Sequence, residues 1–192
     1  GETVQGYTTR HTRRTAEALA SDDEAIRLRP DHAESHSNRG NVLKELGRLE
    51  EALASYDRAI ALKPDFAEAH TNRGNVLAAQ ERYEEAVASH REGIRLKPGA
   101  AEPHNNLGNV LMQLNRLEES LAAYDAAIAL QPDHARAYSN RGNVLGELHR
   151  PDEALASFDR GLALSPDEPG IRYNKSMLVL QRHDFIEGFA LQ

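Results

Sequence analysis

Side-chain amides are the chemistry this sequence repeats most regularly. Asn38, Asn72, Asn106, Asn140 and Asn174 follow one another at a step of 34 residues, and Asn41, Asn75, Asn109 and Asn143 form a second series at the same step. An amide offers both a donor and an acceptor, the complement of a peptide group, so a row of them can hold an extended backbone whatever its sequence. The same groups can instead bond neighbouring helices and hold a stack together. Asparagine is a mediocre helix former, so helix propensity explains neither series. The other reactive side chains form no site. His36, His70 and His104 share one repeat position, with Tyr138 next, which predicts a half-buried packing place. Equivalent residues on successive helix pairs lie roughly 10 Å apart, too far to share a metal bound at about 2 Å. His32 and His36 are four apart, but His32 precedes the helix. The acid pairs Glu50-Glu51, Glu84-Glu85 and Glu118-Glu119 sit at helix starts, where carboxylates complement the dipole. No Ser-His-Asp set or glycine-rich phosphate loop stands out, and there is no cysteine to act as nucleophile, disulfide partner or zinc ligand. The sequence therefore predicts no catalytic residues, no metal and no cofactor.

The elements that carry these residues are helices. The chain has 192 residues, 40% of them hydrophobic and only 5% aromatic, with no tryptophan. Alanine, leucine, glutamate and arginine recur throughout, a balance that favours helices packed through small side chains. A net charge of −7 argues against nucleic acid and anionic lipid as partners, since both require clustered cations. There is no apolar run of membrane-spanning length and no apolar stretch of signal-peptide type at the N-terminus, so a cytoplasmic location is expected.

Pro30, Pro64, Pro98, Pro132 and Pro166 mark the same 34-residue period, as do Gly40, Gly74, Gly108 and Gly142. The run Arg39-Gly40-Asn41-Val42-Leu43 recurs at Arg73 and Arg141, and reads Leu107-Gly108-Asn109-Val110-Leu111 in the third copy. Each period reads as a helical hairpin. Asp31 with Glu34, and Asp65 with Glu68, predict an N-cap and its capping-box partner. Gly47 and Asn115 fit the left-handed residue that ends a first helix. Ala52, Leu53, Tyr56, Ala59 and Ile60 form the apolar stripe of a second helix that stops before Pro64. Gly40 is expected to face Ala52 and Ala59, with Tyr56, His90, Tyr124 and Phe158 filling the remaining space. The predicted organisation is an irregular or frayed segment over 1–14 and a remnant second helix of an incomplete repeat over 15–32. Four repeats follow, over 33–66, 67–100, 101–134 and 135–168, then a partial fifth over 169–192. In that fifth repeat Ile171 to Gln181 reads as a first helix, and Phe185, Ile186, Phe189 and Leu191 as the start of a second. These uncovered apolar residues predict self-association through the ends of the stack and make the chain resemble a piece of something longer.

Units beginning at Ala33, Ala67, Ala101 and Ala135 resemble the tetratricopeptide repeat, which has glycine or alanine eighth, alanine twentieth, an aromatic twenty-fourth, a small residue twenty-seventh and proline thirty-second. The departures are Ser120, His90, and Arg39, Arg73 and Arg141 in place of the usual seventh leucine. The resemblance spans roughly residues 16–182. It implies an all-α, right-handed superhelical solenoid of helix-turn-helix hairpins whose first helices line a concave groove. It further implies a non-catalytic scaffold that binds an extended protein or peptide segment there. The first asparagine series is similar to the asparagine ladder of the O-linked N-acetylglucosamine transferase repeat region, which makes Asn38, Asn72, Asn106, Asn140 and Asn174 the expected backbone contacts, with Asn41, Asn75, Asn109 and Asn143 beside them. The segment Asp184-Phe185-Ile186-Glu187-Gly188-Phe189 resembles the last repeat of bacterial proteins that continue into glycosyltransferase domains. The alternative function is thus the substrate-recognition arm of a larger bacterial glycosyltransferase. A carboxylate clamp of the chaperone-binding kind is not expected, because the fifth-place residues Ser37, Thr71, Asn105 and Ser139 are not basic.

Overall fold

The computed structural model describes the backbone of residues 4–190 and the side chains of residues 13–181. Among the described residues there are ten helices and no strands: α1 (Val4–Leu28), α2 (Ala33–Glu45), α3 (Leu49–Leu62), α4 (Ala67–Ala79), α5 (Tyr83–Leu96), α6 (Ala101–Gln113), α7 (Leu117–Leu130), α8 (Ala135–Glu147), α9 (Pro151–Leu164) and α10 (Pro169–Ala190). The chain is an all-α helical repeat solenoid that divides into two compact units between Pro98 and Gly99. The first unit holds α1 through α5 and the second α6 through α10. In the first, α2 pairs with α3 and α4 with α5; in the second, α6 pairs with α7 and α8 with α9.

One turn closes all four hairpins. Gly47, Glu81, Asn115 and His149 take positive φ of 72°, 59°, 56° and 56°. The N–H of the residue after each reaches back to a leucine carbonyl, Leu43, Leu77, Leu111 or Leu145, at 2.9 Å, while the positive-φ residue donates to Lys44, Ala78, Met112 or Gly146 at 2.9–3.0 Å. This is the Schellman arrangement, which satisfies carbonyls a helix end leaves orphaned. Glycine suits the position at Gly47, but the bonding also holds Glu81 and His149 there, two residues whose types give no such signal. Arg48, Arg82, Arg116 and Arg150 then start the second helices and fork onto Glu51, Glu85, Glu119 and Glu153 at 2.6–2.8 Å. One member of each acid pair is thus an arginine partner as well as a dipole complement.

In the hairpin cores the nearest neighbours of the first-helix glycines are the twenty-fourth-place rings. A Cβ on Gly40, Gly74 or Gly108 would fall 2.7 Å from Tyr56, His90 or Tyr124, and one on Gly142 would fall 2.6 Å from Phe158. Those four rings are fully or almost fully buried. The glycine is required because the ring occupies the space of a side chain. Ser120, in the alanine place, is also buried and donates to the Gly108 carbonyl at 2.7 Å.

The caps and the ends differ from expectation. The residues before α2 and α4 are His32 and Phe66, not Asp31 and Asp65, and neither supplies a side-chain cap. Glu34 bonds Lys63 at 3.0 Å instead of closing a capping box. At the N-terminal end α1 runs from Val4 to Leu28, across the segment expected as irregular or frayed and the one expected as a remnant second helix. At the other end α10 continues from Pro169 to Ala190 as one helix where two were expected, keeping backbone bonds that a turn near His183 would break. The side chains of Phe185, Ile186 and Phe189, and all of Leu191, lie outside the described residues.

The seventh-place arginines have a packing role. In the first unit Arg39 bonds Asp23 at 2.7 Å and Ser55 at 2.8 Å, and Arg73 bonds Asp57 and Ser89, both at 2.6 Å. In the second unit Arg141 bonds Asp125 at 2.6 Å, and Lys175 pairs with Asp159. Each cation ties a first helix to the helix that precedes it in the chain, where a leucine would only pack.

Candidate functional site

The amides of the first helices are partly used within the stack. In the first unit Asn41 Oδ1 accepts from the Tyr56 hydroxyl at 2.7 Å and from Asn72 Nδ2 at 3.0 Å. In the second unit Asn109 Oδ1 accepts from the Tyr124 hydroxyl at 2.7 Å and from Asn140 Nδ2 at 3.0 Å, and Asn140 also reaches Asn105 Oδ1 at 3.3 Å. The amide orientations are mutually consistent, since the Asn41 and Asn109 oxygens each meet two donors. Burial pushes both tyrosine hydroxyls well above their ordinary range, so they remain protonated donors. Asn72 and Asn140 therefore spend an N–H joining one hairpin to the next. Asn38 is exposed, and Asn106 and Asn75 are half-buried on their helices.

Several sequence candidates take structural places. His36 and His70 are half-buried and donate from Nε2 to the carbonyls of Pro30 and Pro64, both at 3.0 Å; Arg172 makes the same tie to Pro166 at 2.6 Å. Ser37, Thr71, Asn105 and Ser139 are buried, so they cannot line a groove as clamp residues. His90 is the exception among the hairpin rings. It is fully buried, neither ring nitrogen has a partner among the described residues, and desolvation lowers its pKa to about 4.

The second unit contains a cavity of about 520 Å³ that the sequence reading did not find. Its apolar lining is Met112, Phe158, Tyr173, Met177 and Leu178, and its polar lining is Asn143, Glu147, His149, Asn174 and Gln181. Gly142 and Gly146 complete the wall contributed by α8. The signal was present in the repeat register. Phe158 stands where Tyr56 and Tyr124 stand, Met177 takes the place of the second asparagine series, and Tyr173 replaces the small fifth-place residue. Comparing columns of the repeat, instead of asking which residues recur, would have exposed all three.

Comparison with known proteins agrees with this architecture. The TPR repeat family matches residues 40–81, 74–115 and 108–148, and tetratricopeptide repeat models match residues 135–168 and 23–54. None of the curated proteins matches the chain by sequence. Among solved structures the chain is similar to YrrB, described as a TPR protein with an unusual peptide-binding site, at 27% identity over 86% of each chain, with a TM-score of 0.74. It shares its fold with MamA of Desulfovibrio magneticus, at 22% identity over 85% of this chain and 94% of that one, with a TM-score of 0.75. A TPR protein of Thermus thermophilus has the same fold, at 21% identity over 92% and 96% of the two chains, with a TM-score of 0.70. No helix among the described residues is long and apolar enough to cross a membrane. With family models covering more than half of its length in successive units, the chain belongs to the tetratricopeptide-repeat family.

Proposed function

We propose that the chain is a non-catalytic protein-interaction scaffold that binds an extended segment of another polypeptide along its first helices. The observation that carries this reading is the recurrence of amides at one place on the first helices, Asn38 and Asn72 in the first unit and Asn106, Asn140 and Asn174 in the second. Asn72 and Asn140 bond the stack only through Nδ2, which leaves the carbonyl oxygen available to a ligand peptide group. YrrB, the relative at 27% identity, is described as peptide-binding, which supports the same class of partner.

Such binding is modest per contact. A neutral hydrogen bond contributes about 0.5–1.5 kcal/mol net, and ordering the ligand offsets part of that gain. Broad sequence tolerance with weak to intermediate affinity is the expected behaviour. The test is selection of a phage-displayed random dodecapeptide library on the immobilised full chain. Enrichment of linear peptides that lose affinity for the Asn106→Ala variant is the expected result. A library that fails to enrich would remove polypeptide binding as the function.

A further inference from the structure

The cavity in the second unit differs from the joints closed by Asn41 and by Asn109, because its amides are not consumed by packing. Asn41 and Asn109 each accept from a tyrosine hydroxyl and from the next asparagine. At the equivalent place Asn143 faces Phe158, which has no hydroxyl, and among the described residues neither Asn143 nor Asn174 has a side-chain hydrogen bond. Both amides are half-buried and still reach solvent, so a ligand peptide group can bond them without displacing a partner within the chain.

The surroundings specify the ligand further. Gly146 occupies the place held by Lys44, Ala78 and Met112 in earlier repeats, and leaving out that side chain keeps the space open. Tyr173 and Met177 are 65% and 40% exposed, an apolar wall still in contact with water. Glu147 lines the same space and has no ion pair among the described residues. The volume of about 520 Å³ lies within the roughly 300–1,000 Å³ typical of binding pockets.

Building on the polypeptide-binding reading above, we propose that this cavity is an anchor pocket for the ligand. It takes one bulky apolar side chain of an extended segment. Asn143 and Asn174 hold the peptide groups beside that side chain, and Glu147 pairs with a lysine or arginine adjacent to it. Charge decides between occupants: a lone carboxylate in a chain of net charge −7 selects a basic ligand segment, whereas a second copy of this chain would bring further negative charge.

The experiment uses the same peptide selection, with the enriched sequences synthesised and measured by fluorescence anisotropy. The expected consensus is a bulky apolar residue next to lysine or arginine. Gly146→Leu fills the pocket and should weaken these peptides at least about tenfold, the loss of a single buried anchor. That variant should keep the fold, with a melting temperature no lower than that of the original chain: a Cβ at Gly146 meets Leu178 at an ordinary 3.6 Å, and replacing a helical glycine favours the helix. Glu147→Gln should weaken binding by about twofold to fivefold and flatten its salt dependence, as for a partly exposed ion pair. Peptides that bind Gly146→Leu as tightly as the original chain would overturn the pocket while leaving polypeptide binding intact. Failure to enrich any peptide would overturn both. A dimer seen by light scattering and broken by Gly146→Leu would place a second copy in the cavity, which also overturns the proposal.

Discussion

Two successive joints of the second unit, α7 to α8 and α9 to α10, are built on the same plan and finish differently. In the first, Tyr124 lies on Gly108 and its hydroxyl bonds Asn109, which also accepts from Asn140. In the second, Phe158 lies on Gly142 in the same way, yet Asn143 and Asn174 are left without side-chain hydrogen bonds among the described residues and line a cavity. The apolar half of the joint, ring on glycine, is identical in both. The polar half differs: Phe158 has no hydroxyl where Tyr124 has one, and Ser139 stands where Asn105 accepts from Asn140. Ring-on-glycine packing can therefore hold a hairpin together while the face above it is free to be sealed or left open.

The apolar half is the part whose loss should cost most. Gly108→Phe would drive a side chain into a ring already 2.7 Å from the Cβ position, with the buried Tyr124 unable to leave without opening the third hairpin. Overpacking typically costs about 1–3 kcal/mol, and this site should reach the upper end of that range or exceed it. Gly142→Phe should do the same against Phe158. A thermal melt followed by circular dichroism is the check. If either variant melts like the original chain, the shared plan of the two joints is wrong.

His90 extends the comparison to a third kind of ring. It has the burial of Tyr124 and Phe158, but two ring nitrogens without partners and a pKa lowered to about 4 from the ordinary 6.5. Between those values the unfolded chain takes up a proton that the folded chain refuses. Stability is therefore full above about pH 6.5 and falls as the pH drops, levelling near pH 4. The window is worth roughly 3 kcal/mol in all. The pH-dependent loss in denaturant unfolding should shrink by about that amount in His90→Phe. That variant should also be more stable at neutral pH by about 1 kcal/mol or more, since it removes unmet buried polar atoms. An unchanged pH profile would show that the ring is hydrated in the folded state.

Exchanging the oxygen between the joints tests the comparison directly. Tyr124→Phe should cost about 0.5–1.5 kcal/mol by removing the bond to Asn109. Phe158→Tyr should restore the missing donor to Asn143, stabilise by a similar amount, and weaken any ligand that uses that amide. Equal and same-signed effects in the two variants would mean that the hydroxyl is not what separates the joints.

The repeat register made the fold readable from the chain alone, because proline, glycine and the apolar stripe recur at fixed places and each has a local physical reason. Gly47 and Asn115 could be recognised as turn residues, while Glu81 and His149 could not, because their left-handed geometry is enforced by Schellman bonds and not by residue type. The asparagines were visible as a pattern, but their partners were not. Whether Asn72 faces a ligand or Asn41 depends on a contact across 31 residues that spacing does not specify. The cavity escaped for a different reason. It arises where the pattern stops, at Phe158, Met177 and Gly146, and a search for recurrence passes over such places.

The smallest effect expected is the one that the two joints share. Arg141 bonds Asp125 across the sealed joint, and Lys175 pairs with Asp159 across the open one. The side chains are 25% and 52% exposed in the first pair and 35% and 59% in the second, so water and salt screen both. Arg141→Leu and Lys175→Leu should each change stability by less than about 0.5–1 kcal/mol, with the leucine of the usual seventh place recovering some packing. What matters is their equality. If the joints differ only in the Tyr124 hydroxyl and the Asn105 acceptor, removing the cation should perturb both alike, and the difference should vanish in high salt. A markedly larger loss at Lys175 would mean that the open joint leans on its ion pair because the amide bond is missing, and the two halves of the joint would then have to be treated as coupled. Denaturant unfolding of the two single variants at low and high salt separates these outcomes.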